Sequence, residues 1–268
     1  MIERAYEAFN NRSEEDRLAA RAAGQDAGVA DLALMSWLLW LLGQPDTAAE
    51  RIDTALRRAD AIAHPHTQAY ARYYASVLYA LRGQPAVART HAKHCFDLSE
   101  AHGFRQWHGL SRAILGICNA LMDTSSSSLD DVRAALEEYL GAGYQLGISA
   151  LYILLCFVLL RRGEFEGALD IVERGFSTVD NNSERIFEAE LYRLKAAILQ
   201  QRDTADTSAE AESLLERARG VARAQHARSL ELRIVLDLAE LWLRHGKRKE
   251  AKDMLVPICE WFTQGDDT

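Results

Sequence analysis

Proline is scarce in this sequence, with 4 in 268 residues. With 49% apolar and 26% charged residues beside it, that scarcity excludes a disordered or collagen-like chain and implies a packed protein. Cysteine is equally sparse. Cys95, Cys118, Cys156 and Cys259 stand far apart, without a CxxC pair or the close spacings of a disulfide framework, which fits a reducing cytoplasm. Long hydrophobic runs are missing as well. Leu32 to Leu42 and Ala150 to Leu160 fall well short of the roughly 20 residues needed to cross a bilayer and read as buried helices. The N-terminal segment MIERAYEAFNNRSEEDR has no apolar stretch of the kind a secretion signal needs. Excess positive charge is absent too. The 31 basic side chains face 39 acidic ones, a formal charge of −8, and that field repels phosphate backbones and anionic lipid headgroups alike, so neither nucleic acid nor membrane is expected as a partner. The one basic run, Lys247, Arg248, Lys249 and Lys252, falls at a turn and the helix start after it and reads as a solvated helix end.

Signatures of catalysis are lacking in the same way. There is no GxxxxGK[ST] phosphate loop and no GxSxG nucleophile elbow, and Ser125 to Ser128 belong to a polar insertion. The acidic pairs Asp130-Asp131 and Glu137-Glu138 are adjacent on helices, so their members point to different sides and do not converge as acid and base. His91, His94 and Cys95, with His102 near them, have helix-face spacing suited to a metal. No second cluster completes a four-ligand set, so a helix carrying ordinary side chains is the stronger reading. No enzyme activity and no cofactor are expected.

What the sequence does contain is a period. Small residues follow a leucine-rich half-turn at Ser36, Ser76, Gly116, Cys156, Ala196 and Ala239, with separations of 40, 40, 40, 40 and 43 residues. Each precedes by seven residues a glycine or polar turn at Gly43, Gly83, Asp123, Gly163, Asp203 or Gly246. Five residues beyond the four glycines comes another small residue, Ala48, Ala88, Ala168 and Ala251. Two antiparallel helices approach closely only where a small side chain of one faces a small side chain of the other. A glycine able to take the left-handed conformation ends the first helix, and proline at Pro45 and Pro85 opens the second, where its missing N–H costs nothing. The polar stretches after Asp123 and Asp203 lengthen those turns by about three or four residues.

These positions resemble the tetratricopeptide pattern, with Leu115-Gly116, Leu39 and Tyr79 as its best matches. The period near 40 exceeds the usual 34 by six residues, about one turn for each helix, and HEAT-type repeats of similar length lack the glycine turn. The expected fold is all-α, a right-handed α-solenoid of about six tetratricopeptide-like hairpins, forming one domain over 1–268. The repeats fall near 28–64, 67–103, 107–143, 147–180, 184–226 and 229–264. Residues 1–21 read as a partial N-terminal repeat, and His64-Pro65-His66 reads as an inter-repeat turn.

The segments ERIFEAELYRLKAAIL and SLELRIVLDLAELWLRHGKRKEAKDMLVPICEWFTQGDDT, together with the N-terminal AAGQDAGVADLALMSWLLWLLGQPDTA, resemble the C-terminal repeats of a multidomain bacterial family. In that family a class III adenylate or guanylate cyclase domain precedes an ATPase of the AAA/STAND type. The resemblance implies that this chain is a sensor or regulatory repeat region that binds a protein or peptide segment, or the adjacent ATPase and cyclase domains. A peptide-sensing or small-ligand-sensing region of a STAND-type transcription regulator, and a scaffold that self-assembles as a homodimer through its end repeats, are the other readings. In such solenoids the first helix of each hairpin lines the concave face. Counting from the small positions places Trp37 and Trp40, Tyr70 and Tyr73, Ile153 and Phe157, Glu190 and Arg193, and Arg233 and Glu240 there. Aromatic residues and arginines dominate binding energy at protein interfaces. Trp37, Trp40 and Phe157 also suit the interior, whereas the phenols of Tyr70 and Tyr73 tolerate a wet rim.

Overall fold

The computed structural model describes residues 26–123, 129–145, 147–182, 184–201 and 205–265, which hold twelve α-helices and no strand. They form six hairpins: α1 (Ala27–Leu41) with α2 (Pro45–Ile62), α3 (Pro65–Leu81) with α4 (Pro85–His102), α5 (Arg105–Met122) with α6 (Asp130–Gly141), α7 (Ile148–Arg162) with α8 (Phe165–Asn182), α9 (Glu188–Gln200) with α10 (Ala205–Ala224), and α11 (Arg228–Arg244) with α12 (Arg248–Trp261). The proposed partial repeat over 1–21 and most of the inserted turn after Asp123 lie outside the described residues.

The small positions sit where the hairpins close. Ser36, Ser76, Cys156 and Ala196 are fully buried, and the Cys156 thiol lies 3.9 Å from the carbonyl oxygen of Ala168, its expected counterpart. At Gly116 even a methyl group has no room, because an ideal Cβ would stand 2.5 Å from Cγ2 of Val132. Buried Ser36 and Ser76 satisfy their hydroxyls within their own helices, donating to the carbonyls of Ala33 and Tyr73, each at 2.6 Å.

Helix ends follow the expected chemistry. At the first-to-second turn of the second hairpin, Gly83 takes φ +76°. The N–H of Gln84 bonds the carbonyl of Tyr79 at 2.9 Å, and that of Gly83 bonds Ala80 at 3.1 Å, so two carbonyls left over at the helix end are satisfied. Pro45 and Pro85 begin α2 and α4. Pro65 does the same for α3, capped by the His64 side chain, which accepts from the N–H of Thr67. The turn expected at 64–66 is therefore shorter than the sequence suggested: a proline at the first helical position starts the helix and places His66 inside it. Asp26, which the sequence reading passed over, caps the start of α1 by accepting from the N–H of Val29 at 2.9 Å, and it also pairs with Arg58 at 2.8 Å.

Two inter-repeat turns reach the left-handed region without glycine, Ala63 at φ +55° and His226 at φ +56°. A Cβ in that region costs roughly 1–2 kcal/mol. Ala63 is exposed and only its backbone is engaged, its N–H bonding the carbonyl of Ala59 at 3.0 Å. Ala63→Gly is therefore expected to stabilise the protein by about 1 kcal/mol, read as a higher midpoint in urea unfolding with an unchanged slope. A lower midpoint would show that the gain in unfolded-chain entropy outweighs the relief of strain.

Contacts divide the chain into two compact units, with a boundary inside α7. Among the described residues unit 1 holds those of 26–40 and 44–151, and unit 2 those of 41–43 and 152–265. In unit 1 α3 leans on α5, and in unit 2 α9 leans on α11. The fully buried side chains include Ile52, Leu78, Leu110, Ile114 and Ile117 in unit 1 and Leu154, Leu155 and Phe187 in unit 2. No helix among the described residues is long and apolar enough to cross a membrane.

Candidate partner-binding faces

In unit 1 the first helices are stitched together by aromatic rings. Tyr70 and Tyr74, four residues and so one turn apart on α3, stack with centroids 4.6 Å apart and planes at 21°. From α1, Trp37 lies 4.6 Å from Tyr74 and donates its indole N–H to the Tyr74 carbonyl at 3.0 Å. From α5, Trp107 meets Tyr70 edge-on at 5.4 Å and lies 5.6 Å from Tyr73. Its indole N–H donates to Nε2 of His66 at 2.9 Å. That bond needs an unprotonated Nε2, and burial, followed by the neighbouring His64, lowers the pKa of His66 and favours the neutral ring. Trp37 and Trp107 are 5% and 6% exposed, so they form a fixed underlay, whereas Tyr70 and Tyr74 are half-buried.

This arrangement sorts the aromatic candidates. Tyr70 is half-buried. Tyr73 is 2% exposed, with its hydroxyl donating to the carbonyl of Gly147 at 3.3 Å, and Tyr74, which the sequence reading did not single out, shares the open face with Tyr70 instead. The physical reason is that adjacent helical residues differ by about 100°, so one step in the count changes the face. Trp40, at 4% exposed, is also interior.

Unit 2 carries charge where unit 1 carries rings. Glu190 on α9 has no exposed surface. It accepts two bonds from Arg193, Nε to Oε2 and Nη2 to Oε1, both at 2.9 Å, and a third from Nη1 of Arg233 on α11 at 3.2 Å. Arg193 donates its Nη1 to Asp237 at 2.8 Å. Phe157 on α7 lies 5.7 Å from the Arg193 guanidinium and 5.6 Å from that of Arg233, each measured to the ring centroid. Burial alone would raise the pKa of Glu190, but Arg193 and Arg233 outweigh it and hold the carboxyl below its usual range. Burial lowers Arg193 as well, and Glu190 and Asp237 more than reverse it. At the rim burial prevails. It sets Arg233 below the ordinary arginine value despite Glu190, and Asp237 above the ordinary carboxylate value despite Arg193.

Of the six candidates in this unit, the structure joins Phe157, Glu190, Arg193 and Arg233 and adds Asp237. Ile153 is fully buried in the core. Glu240 is exposed and pairs with Arg244 at 2.6 Å, outside the network. Asp237 lies one turn beyond Arg233, a spacing that could have marked it as sharing that helix face.

The remaining sequence candidates resolve as packing. The Cys95 thiol is fully buried, bonds the carbonyl of Ala69 at 3.2 Å, and is pushed by burial up to about 12. His91 stacks on Tyr79 at 5.5 Å and faces Nη1 of Arg72 at 3.4 Å. No group of three or more His, Cys, Asp or Glu suited to a metal occurs among the described residues. Asp131 and Glu138 both reach Arg112, while Asp130 turns to Arg133, so the acidic neighbours diverge.

The tetratricopeptide repeat family matches residues 32–54 and 149–174, which lie within the first and fourth hairpins. No curated protein matches the sequence. Among solved structures, the apo form of RapI superposes with a TM-score of 0.61 at 11% identity, over 87% of this chain and 82% of RapI. At that identity the likeness speaks for the fold alone. The chain therefore folds as a tetratricopeptide-like stack of paired helices.

Proposed function

We propose that this protein is a non-catalytic regulatory scaffold that holds a peptide or helical segment of another protein against the first helices of its repeats. The observation that carries this reading is the half-exposed Tyr70–Tyr74 stack, held by buried Trp37 and Trp107. A rigid aromatic surface loses little entropy on binding, and aromatic anchors supply most of the energy of protein interfaces. In unit 2 the partner-facing residues are Phe157, Arg193, Arg233 and Glu240, with Glu190 beneath them. Trp37, Trp40, Tyr73 and Ile153 support the face from within.

The wider setting is a cytoplasmic bacterial signalling protein, in which these repeats restrain or release a cyclase or STAND-type ATPase module. The reading frame around this sequence tests that setting. A cyclase or ATPase module beside the repeats supports it, and a DNA-binding module turns it toward transcription control. For the face itself, the partner isolated by cross-linking in the native cell is titrated against the purified chain. Tyr70→Ala with Tyr74→Ala is expected to weaken binding by roughly 10- to 100-fold, about 1.4–2.7 kcal/mol, with unchanged helicity. Equal affinity of the double variant would remove the aromatic face from the reading.

A further inference from the structure

We propose that the cleft where the α10–α11 turn meets α12 is a second binding site, one that takes a single carboxylate flanked by an apolar side chain on a peptide of another protein. Its floor is Glu231, in the first turn of α11 and 2% exposed. Glu231 accepts from Nε of Arg223 at 2.6 Å and from Nη1 of Arg228 at 2.7 Å. One buried carboxylate thus faces two guanidiniums, which leaves one positive charge in excess. The arginine side chains are 59% and 40% exposed, so the excess stands at the surface. Arg228 also lies 5.3 Å from the ring centroid of Trp261, which is itself 44% exposed. An arginine fixed by one carboxylate keeps other N–H groups in a rigid fork suited to a second.

The repeat supplies an internal comparison. One period earlier, Glu188 occupies the same place in the first turn of α9, buried and paired with Arg185 at 2.7 Å. There the position of Arg223 is Asp180 and, with the longer α9–α10 turn allowed for, that of Trp261 is Val221. One arginine is therefore enough to neutralise the buried acid. The second arginine and the indole are additions particular to the last hairpin, and they place two exposed guanidiniums at one end of an aromatic-walled recess of about 610 Å³, a size that accommodates a side chain or small ligand.

The other walls narrow the ligand. Met254 and Pro257 offer apolar surface, and the Met254 sulfur already accepts from Arg219 at 3.2 Å. Arg219 is balanced by Glu216 at 3.2 Å. Glu250 and Asp253 line the α12 side and repel a second acid, so the site selects one carboxylate over a polyanion. The chain's charge of −8 acts against nucleic acid in the same sense. The site does not depend on the Tyr70–Tyr74 reading.

The test uses the full chain and three capped peptides, acetyl-Gly-Leu-Glu-Leu-Gly-amide and its Gln and Lys counterparts. The indole N–H resonance of Trp261 is assigned by comparison with Trp261→Phe. The Glu peptide is expected to shift that resonance saturably, more weakly as salt rises, with the Gln peptide binding at least about fivefold less tightly. Arg223→Gln, at an exposed position, should keep the fold and lose at least about fivefold in affinity, and Arg228→Lys should lose a similar factor while keeping the charge. The Tyr70→Ala, Tyr74→Ala variant should respond like the parent, so either site can fail without the other. Binding of the Gln or Lys peptide as tight as that of the Glu peptide, no saturable shift up to about 10 mM, or undiminished binding by Arg223→Gln would overturn the proposal.

Discussion

Glu190→Gln is expected to lower folding stability by about 3–5 kcal/mol. The carboxylate sits without solvent between two guanidiniums. With Asp237 the group carries two positive and two negative charges, and it is neutral only while all four are present. Gln keeps the volume and one acceptor oxygen but leaves two arginines sharing Asp237. Burial, which already sets Arg233 below its ordinary value, then acts on a charge with less to oppose it. Urea unfolding at neutral pH measures the loss. A double-mutant cycle with Arg193→Met should show coupling, the pair costing less than the two singles together, because the second change removes a charge the first has stranded. A loss below about 1 kcal/mol would mean that water solvates the cluster.

The same residue sets part of the acid limb. Its folded pKa lies below the ordinary 4.5, so its contribution is fully present above about 4.5 and is lost as pH falls through the folded value. Asp237, raised above 3.8 by burial, acts in the opposite sense and recovers a fraction. Glu190→Gln should accordingly flatten the stability profile below pH 4.5 as well as lower it.

The hairpins were legible in the sequence because they are made by size. Ser36, Ser76, Gly116 and Cys156 recur at a fixed interval, and a missing side chain is a signal that any position can display. The left-handed turns at Gly43, Gly83, Gly163 and Gly246 were legible for a similar reason, since glycine there relieves a steric cost. The face that each aromatic shows was harder to read. Tyr73 and Tyr74 are both tyrosines, and a rotation set by how α3 packs between α1 and α5 decides which is buried. Asp237 escaped because its partner, Arg193, is 44 residues away, so the pairing exists only once α9 and α11 lie side by side. Asp26 escaped because capping is local chemistry at the residue just before the helix, outside the repeat expected near 28–64.

Stability should also fall between pH 6.5 and pH 4, before most carboxylates titrate, and His91 is the main cause. Its pKa is lowered from 6.5 to about 4, first by burial and then by Arg72 and His94, with Asp53 and Asp60 opposing. The geometry explains the sign. Arg72, held on Asp60 by Nη2 at 2.8 Å, points Nη1 at Nδ1 of His91, and a guanidinium can donate to a neutral imidazole but is repelled by an imidazolium. The opposite face of the ring is covered by Tyr79, whose hydroxyl donates to Asp53 at 3.0 Å. In the unfolded chain His91 takes a proton near pH 6.5 and in the folded one only near 4, so the unfolded state binds more protons throughout that interval. Stability is therefore lost as pH falls, by at most about 1.4 kcal/mol per pH unit and by less where solvent reaches the ring. His66, neutral for the sake of Trp107 and also lowered by burial, adds to the same slope. His91→Gln keeps an acceptor for Arg72 without a titration. It should reduce the stability difference between pH 7 and pH 5 by about 1–2 kcal/mol, and an unchanged difference would mean that the folded protein protonates His91 as readily as water does.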